Sequence, residues 1–375
     1  MKEKDFIQFL QYCLDENRSL PENIKDFDWK DMITWAEQQA IVGVVFEGIK
    51  RADKALCMPF DTLTGWIGYA NQIEQRNKLL NKRCVELTDF LAHRGFDTCI
   101  LKGQGNTLRY PAPYIRTSGD IDIWLEGGRE KIMEFVNKQW PGQLERYHHV
   151  EIPAVGGVPV EVHFFPSYMH APWRNRRLLR WFEKESEKQF SNRVTLPGQE
   201  EQISIPTVEF NVIYQLQHMF SHLFTEGFGL RQVIDYYFLL KSGNNNQVYG
   251  SRFKVNGCTE NLEETLRYLG LYKFAGAMMW VMKEVLCLDD KYMIAEPNEK
   301  EGRFLLSEIM QSGNMGHYDT RLGKTEGEGI IHRYFRMTRR NMRFLCHYPE
   351  ESICEPIFRT WYFFWRMGYR MMHKT

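Results

Sequence analysis

Two aspartates separated by one residue are the first feature of this sequence that could do chemistry. Asp120 and Asp122 lie in the run GDIDIWL, where polar and apolar residues alternate. Successive side chains of a β-strand point to opposite faces, so both carboxylates would project the same way, roughly 7 Å apart. Their mutual repulsion is offset when a hard divalent cation lies between them, and Mg²⁺ prefers carboxylates together with substrate phosphates. The pair predicts a metal site for Mg²⁺ or Mn²⁺, although such pairs also occur in calcium loops and at solvated strand edges.

A third carboxylate lies in a second alternating run. Glu161 is flanked by valines in VPVEVHFF, and an unpaired acid on an apolar strand would be costly to bury. With Asp120 and Asp122 it could hold two ions roughly 3.5–4 Å apart, as in-line phosphoryl displacement requires. His163 shares a face with Glu161 by the period of two. It is either a general base or a hydrogen-bonded structural histidine.

Residues suited to phosphate precede the acidic pair. Lys102 and Gly103 end the short apolar run Cys99-Ile100-Leu101, and a helix is predicted to follow from Asn106 to Tyr110. Free backbone amides at a helix start attract phosphate, and Lys102 adds a point charge. Arg116 and Ser118, just before Asp120, could reach the same phosphates. Each feature alone has a structural explanation as a turn or a surface residue, but their order along the chain favours a nucleotide site.

The run LKGQGNTLRYPAPYIRTSGDIDIWL, followed by VEVHF, resembles the DNA polymerase beta-type nucleotidyltransferase superfamily. It is most similar to the group called uncharacterised nucleotidyltransferases, over roughly residues 29–240. The resemblance implies that Asp120 and Asp122 are the metal ligands and Glu161 the third acid. It places Lys102 and Gly103 at the phosphate turn and Arg116 at the group's arginine.

The resemblance implies transfer of a nucleoside monophosphate from a triphosphate, ATP by default, to an acceptor hydroxyl, with release of pyrophosphate. The acceptor stays open among small molecules, proteins and RNA ends. The wider superfamily has a Gly-Gly or Gly-Ser pair at the turn, whereas here Gln104 separates Gly103 from Gly105. The alternative prediction is therefore a nucleotide-binding or regulatory module of the same fold without turnover.

Four further features have both a structural and a functional interpretation. His218 and His222 have i, i+4 metal-ligand spacing but lack the glutamate of a metalloprotease motif, so we expect them on a helix beside the cleft. Arg231 could pair with Asp235 at i, i+4 or contact substrate. The basic cluster at residues 173–180 could bind phosphate or nucleic acid, or could be a solvated, salt-bridged helix. The aromatic and arginine-rich run at residues 358–372 could lie on a membrane surface, or could be a docked amphipathic helix.

The elements that must position these residues fall into three regions. Apolar spacing predicts helices over Trp29–Ala52 and Asn71–Arg94, then strands ending with a hairpin of residues 148–155 and 158–164 about Gly156-Gly157. Helical periodicity returns at Thr207, with segments predicted at residues 208–240, 259–286, 299–311, 330–346 and 356–372 and a loop at 241–257. The prediction is an α+β protein with a small mixed β-sheet nucleotidyltransferase core at residues 96–206, flanked by helical regions 1–95 and 207–375. The cleft should lie between the sheet and the helices after Thr207.

Composition narrows the classes of function. The 48 lysines and arginines equal the 48 aspartates and glutamates in number, which argues against a long nucleic acid as partner. No apolar stretch approaches the roughly 18 residues that a membrane-spanning helix needs. The N-terminal residues do not resemble a signal peptide, and the eight cysteines include no CxxC pair. We expect a cytoplasmic protein with reduced thiols and no membrane span.

Overall fold

The computed structural model describes residues 3–52, 56, 58–243, 262–321, 323, 327 and 329–372. Within these residues a four-stranded mixed sheet and a two-stranded ribbon are surrounded by helices, so the predicted α+β class is confirmed. Some predicted features lie wholly or largely outside the described residues. They are the loop predicted at 241–257 and the start of the helix predicted from Thr259. The cysteines Cys57 and Cys258 also lie outside them. The six described cysteines, listed here, are free: Cys13, Cys84, Cys99, Cys287, Cys346 and Cys354.

The first region is helical, as its apolar periodicity predicts. Its helices are α1 (Glu3–Leu14), α2 (Trp29–Gln38), α3 (Val42–Ala52) and α4 (Phe60–Ala92), with a short 3-10 turn at Ile24–Asp26. One predicted helix over 29–52 is wrong, because Ala40 adopts a left-handed φ of 54° that ends α2 and lets α3 begin. Asp28 caps α2 by accepting hydrogen bonds from the amides of Lys30 and Asp31.

The sheet carries the acidic residues. Its strands β1 (Thr98–Leu101), β2 (Ile121–Leu125), β3 (His149–Val155) and β4 (Val158–His163) run in the order β1-β2-β4-β3. Strands β2 and β4 are parallel, and the other two pairings are antiparallel. The predicted β3–β4 hairpin is confirmed, and its turn uses Gly156 and Gly157 at φ of 55° and 82°.

Helices connect and cover the strands. They are α5 (Gly103–Thr107), α6 (Gly128–Gln139) and α7 (Pro172–Ser191), and a ribbon of β5 (Arg193–Thr195) and β6 (Gln202–Ser204) follows. The helix predicted for Asn106–Tyr110 begins earlier, at Gly103. The alternating strands divide the sheet into two faces: Ile121 and Ile123 pack with α4 and α6, whereas Trp124 contacts Phe190 of α7.

The third region comprises α8 (Val208–Thr225), α9 (Leu230–Ser242), α10 (Leu262–Leu269), α11 (Tyr272–Glu284), α12 (Glu299–Ser312), α13 (Ile330–Asn341) and α14 (Pro349–Met372). Short 3-10 turns occur at Asp290–Tyr292, Asn314–Gly316 and Met342–Phe344. The single helix predicted over 208–240 is two helices, because Gly227 takes a φ of 92° between them. None of the helices described is both long and apolar enough to cross a bilayer.

Candidate active site

A cavity of about 320 Å³ lies between the acidic face of the sheet and helices α8 and α9. Asp120, Asp122 and Glu161 form one side, and His218, His222 and Arg231 form the other. The predicted position of the cleft, between the sheet and the helices after Thr207, matches this arrangement. Trp124 of the same sheet face packs against Phe210 of α8 and so fixes the distance between the two walls.

Asp122 and Glu161 are the centre of the sheet wall. They are partners in the parallel pairing of β2 with β4, so both carboxylates project from the same face. His163, one period further along β4, places Nε2 3.0 Å from Asp122 Oδ1 and 3.5 Å from Glu161 Oε2. These two carboxylates raise the pKa of the buried imidazole, although burial itself acts to lower it. His163 therefore holds the two acids in a fixed geometry.

Asp120 sits at the mouth of the cavity. It directly precedes β2, which begins at Ile121, and is exposed, whereas Asp122 is 7% exposed. The charge of Asp122, followed by desolvation, raises the pKa of Asp120. Burial alone would raise the pKa of Asp122, but Lys102 and His163 outweigh it and hold that pKa well below its usual range. Asp122 therefore loses its proton more readily than Asp120.

Lys102 connects the two walls of the cavity. Its Nζ lies 3.2 Å from Asp122 Oδ2 and 3.1 Å from His218 Nε2. The Lys102 backbone has a φ of 49° and a ψ of −137°, a strained conformation that projects the side chain from the end of β1 into the cavity. Gly103 follows at a φ of 40°, where a side chain would be strained. The predicted phosphate turn is therefore a strained corner that opens onto the acids.

The structure explains why the turn accommodates Gln104 between its two glycines. Gln104 is 1% exposed, and its amide donates to Asn81 Oδ1 at 2.5 Å, toward α4. Its side chain therefore points away from the cavity, and the turn beside Asp122 is left open.

Arg116 occupies a buried ion pair. Its Nε and Nη2 donate to the two carboxylate oxygens of Asp235, at 2.7 and 2.8 Å, and Nη1 donates to Ser118 Oγ at 2.8 Å. Tyr110 Oη donates to the same Asp235 at 2.6 Å. Of the two interpretations of Arg231, the i, i+4 pair with Asp235 is not found among the described residues, because Asp235 is bound by Arg116 instead. Arg116 lines the cavity while Ser118 is buried beside it, and the phosphate contacts predicted for both stay predictions.

His218 and His222 form the helical wall. His222 Nε2 lies 2.9 Å from His218 Nε2, which in turn faces Lys102. Burial, with the charge of Lys102, lowers the pKa of both imidazoles, that of His222 to about 3. Both are therefore neutral at pH 7. Among the residues the structure describes, neither belongs to a group with metal-ligand geometry, so the i, i+4 spacing has no support as a zinc site.

Two groups of side chains in the described chain have ligand atoms within 4.8 Å of one another. One group is Asp122, Glu161 and His163, and the other is His148, His149 and His163. Asp120 lines the cavity outside both groups. The carboxylates of Asp122 and Glu161 fit a hard divalent ion, since such ions take oxygen ligands, and His163 would orient them by its hydrogen bonds.

Sequence reasoning missed two contributions to the site. Asp235 is the anchor for Arg116, but it is 119 residues distant along the chain. The contact of Lys102 with His218 spans 116 residues. The sequence signal for these contacts was helical periodicity, which places His218 and His222 toward the end of α8 and Arg231 at the start of α9.

Comparison with known proteins gives one family. A family model described as uncharacterised nucleotidyltransferase matches residues 25–286, more than half of the chain. No curated protein matches. Among solved structures, an antigenic nucleotidyltransferase-like protein from Paracoccidioides brasiliensis is similar over 60% of this chain and 96% of that chain, with 13% identity and a TM-score of 0.34. A likeness at that score is too small to assign fold or function.

Proposed function

Because this chain belongs to the uncharacterised nucleotidyltransferase family, we propose that it transfers a nucleoside monophosphate from a triphosphate to an acceptor hydroxyl. ATP is the expected donor. The acceptor oxygen forms a bond to the α-phosphorus, the bond from that phosphorus to the bridging oxygen breaks, and pyrophosphate leaves. The observation that carries the proposal is the pairing of Asp122 with Glu161 across parallel strands, on the wall of a cavity that also holds Asp120 and Lys102.

The acids supply the metal site in this proposal. Asp120 and Asp122 would hold Mg²⁺ or Mn²⁺ ions, and Glu161 would share the ion on the acceptor side. Bound divalent ions supply charge neutralisation for the phosphates and for the attacking oxygen. The protein itself contributes positioning and electrostatics, which phosphoryl transfer requires more than covalent chemistry.

Residues around the acids have separate roles. His163 fixes the orientation of Asp122 and Glu161 through its hydrogen bonds. Lys102 and the Gly103 corner bind phosphate, and Lys102 must exchange its contact with Asp122 for one with the triphosphate. The Glu161 carboxylate, whose side chain is 31% exposed, accepts the proton of the hydroxyl.

A binding module without turnover is the second candidate. The contact of Lys102 with Asp122 favours it, because this ion pair already neutralises one carboxylate. The position of Gln104 favours turnover, because its side chain leaves the turn open.

Pyrophosphate release separates the two candidates. Wild-type protein is incubated with ATP, Mg²⁺ and a panel of acceptors that contain hydroxyl groups, and Glu161→Gln serves as the inactivated variant. Release that requires Glu161 supports transfer. Calorimetric binding of Mg²⁺-ATP without release from any acceptor supports the module, and absence of all nucleotide binding contradicts both.

A further inference from the structure

Three cationic side chains line the cavity, and two of them have acidic partners. Lys102 contacts Asp122, and Arg116 holds both oxygens of Asp235. Arg231 has no carboxylate within ion-pair distance among the described residues. Its Nη1 donates to the carbonyl of Thr117 at 3.1 Å.

The remaining edge of the Arg231 guanidinium has no acceptor within the described part of the chain. Its Nε is buried with no hydrogen-bond partner, and no hydrogen bond of its Nη2 is found within the described part of the chain. Nε and Nη2 are the same two nitrogens with which Arg116 holds Asp235. An unsatisfied buried donor is costly, so this edge should have an acceptor in the working protein.

We propose that Arg231 binds the terminal phosphates of the triphosphate through its Nε and Nη2 edge. This assignment rests on the proposed function and names the part of the donor that α9 recognises. The two nitrogens of a guanidinium edge match two oxygens of a phosphate, and the phosphate supplies the negatively charged partner that Arg231 lacks. Thr117, three residues before Asp120, anchors the guanidinium close to the acids. Arg231 therefore recognises the leaving pyrophosphate.

Replacement of Arg231 tests this assignment by calorimetry with Mg²⁺-ATP and with AMP. Arg231→Gln should weaken Mg²⁺-ATP binding about 10- to 100-fold and leave AMP binding within about 3-fold, since AMP lacks the terminal phosphates. Arg231→Lys, which keeps the charge but not the two-nitrogen edge, should be intermediate. Arg177→Gln, on the outer surface of α7, removes one arginine elsewhere and should bind as wild type.

Urea unfolding of each variant shows whether the fold is retained, and Arg231→Lys provides the comparison if Arg231→Gln is unstable. Unchanged Mg²⁺-ATP affinity, or equal losses for ATP and AMP, would overturn the assignment. Inorganic tripolyphosphate with Mg²⁺ separates it from the proposed function. If tripolyphosphate binding depends on Arg231 while no nucleotide binds, the result supports the phosphate site and contradicts the proposed nucleotidyl transfer. If wild type binds neither tripolyphosphate nor nucleotide, the result contradicts both proposals.

Discussion

Asp122 of β2 and Glu161 of β4 lie opposite each other in a parallel strand pair, with His163 Nε2 within 3.5 Å of both carboxylates. Regular strand geometry alone therefore brings together acids that are distant in sequence. The helices α8 and α9 close the space above them, and Lys102 connects the two sides.

Removal of His163 should weaken metal binding. In His163→Ala the carboxylates of Asp122 and Glu161 lose the group that orients them, and we expect Mn²⁺ affinity to fall about 10- to 100-fold. His93→Ala, at the surface histidine that directly follows α4, should bind Mn²⁺ as wild type. Calorimetric titration with Mn²⁺ measures both, and equal affinities for His163→Ala and wild type would show that His163 does not position the ligands.

The Arg116–Asp235 pair should contribute strongly to stability. Arg116→Met leaves Asp235 buried and unpaired, and we expect a loss of about 3–5 kcal/mol in the free energy of unfolding. Arg267→Met removes an arginine from an exposed pair with Glu263 and should lower the free energy of unfolding far less. Urea unfolding compares the two variants. If both variants lost similarly little free energy of unfolding, the Arg116–Asp235 pair would not be the contact that joins the core to α9.

Acidification should destabilise the protein through His222. The pKa of His222 is lowered to about 3 by burial, so its stabilising contribution is complete above the unfolded pKa of 6.5 and declines as the pH falls below it. Between pH 7 and pH 5 this one group should cost about 2 kcal/mol. His222→Gln should lose correspondingly less stability between these pH values in urea unfolding. An identical pH dependence in variant and wild type would contradict the low pKa assigned to His222.

Substitution of Gly103 should affect nucleotide binding more than folding. Gly103 has a φ of 40°, so alanine there adds about 1–2 kcal/mol of strain and should distort the corner next to Lys102. We expect weaker Mg²⁺-ATP binding in calorimetry. Gly65→Ala, on α4 where an added methyl group meets open space, should bind normally and be slightly more stable. Normal ATP affinity in Gly103→Ala would show that the corner at Gly103 does not contribute to phosphate binding.

The strands and the acidic residues could be predicted from sequence because both depend on local alternation. In GDIDIWL the period of two determines which side chains share a face, and the hairpin follows from Gly156-Gly157. The resemblance added the roles of Lys102 and Arg116. The match to the uncharacterised nucleotidyltransferase family confirms that resemblance, whereas the roles of individual residues stay predictions.

Contacts between distant segments could not be predicted. The spacing of Arg231 and Asp235 favours an i, i+4 pair, but Arg116 offers Asp235 a two-nitrogen hydrogen bond in a buried setting, which is the stronger interaction. The helix breaks at Ala40 and Gly227 were missed because a left-handed residue leaves the apolar periodicity on either side unchanged.

Magnesium-dependent binding of ATP is the most direct test of the central claim. The double variant Asp120→Asn with Asp122→Asn removes both acids of the pair, and Asp289→Asn with Asp290→Asn removes two neighbouring surface acids as the matched control. Calorimetry with ATP is run with Mg²⁺ and with a chelator. We predict that Mg²⁺ strengthens ATP binding in wild type and control but not in the Asp120/Asp122 variant. Magnesium-dependent binding that survives in that variant would contradict the assignment of these acids as the metal site.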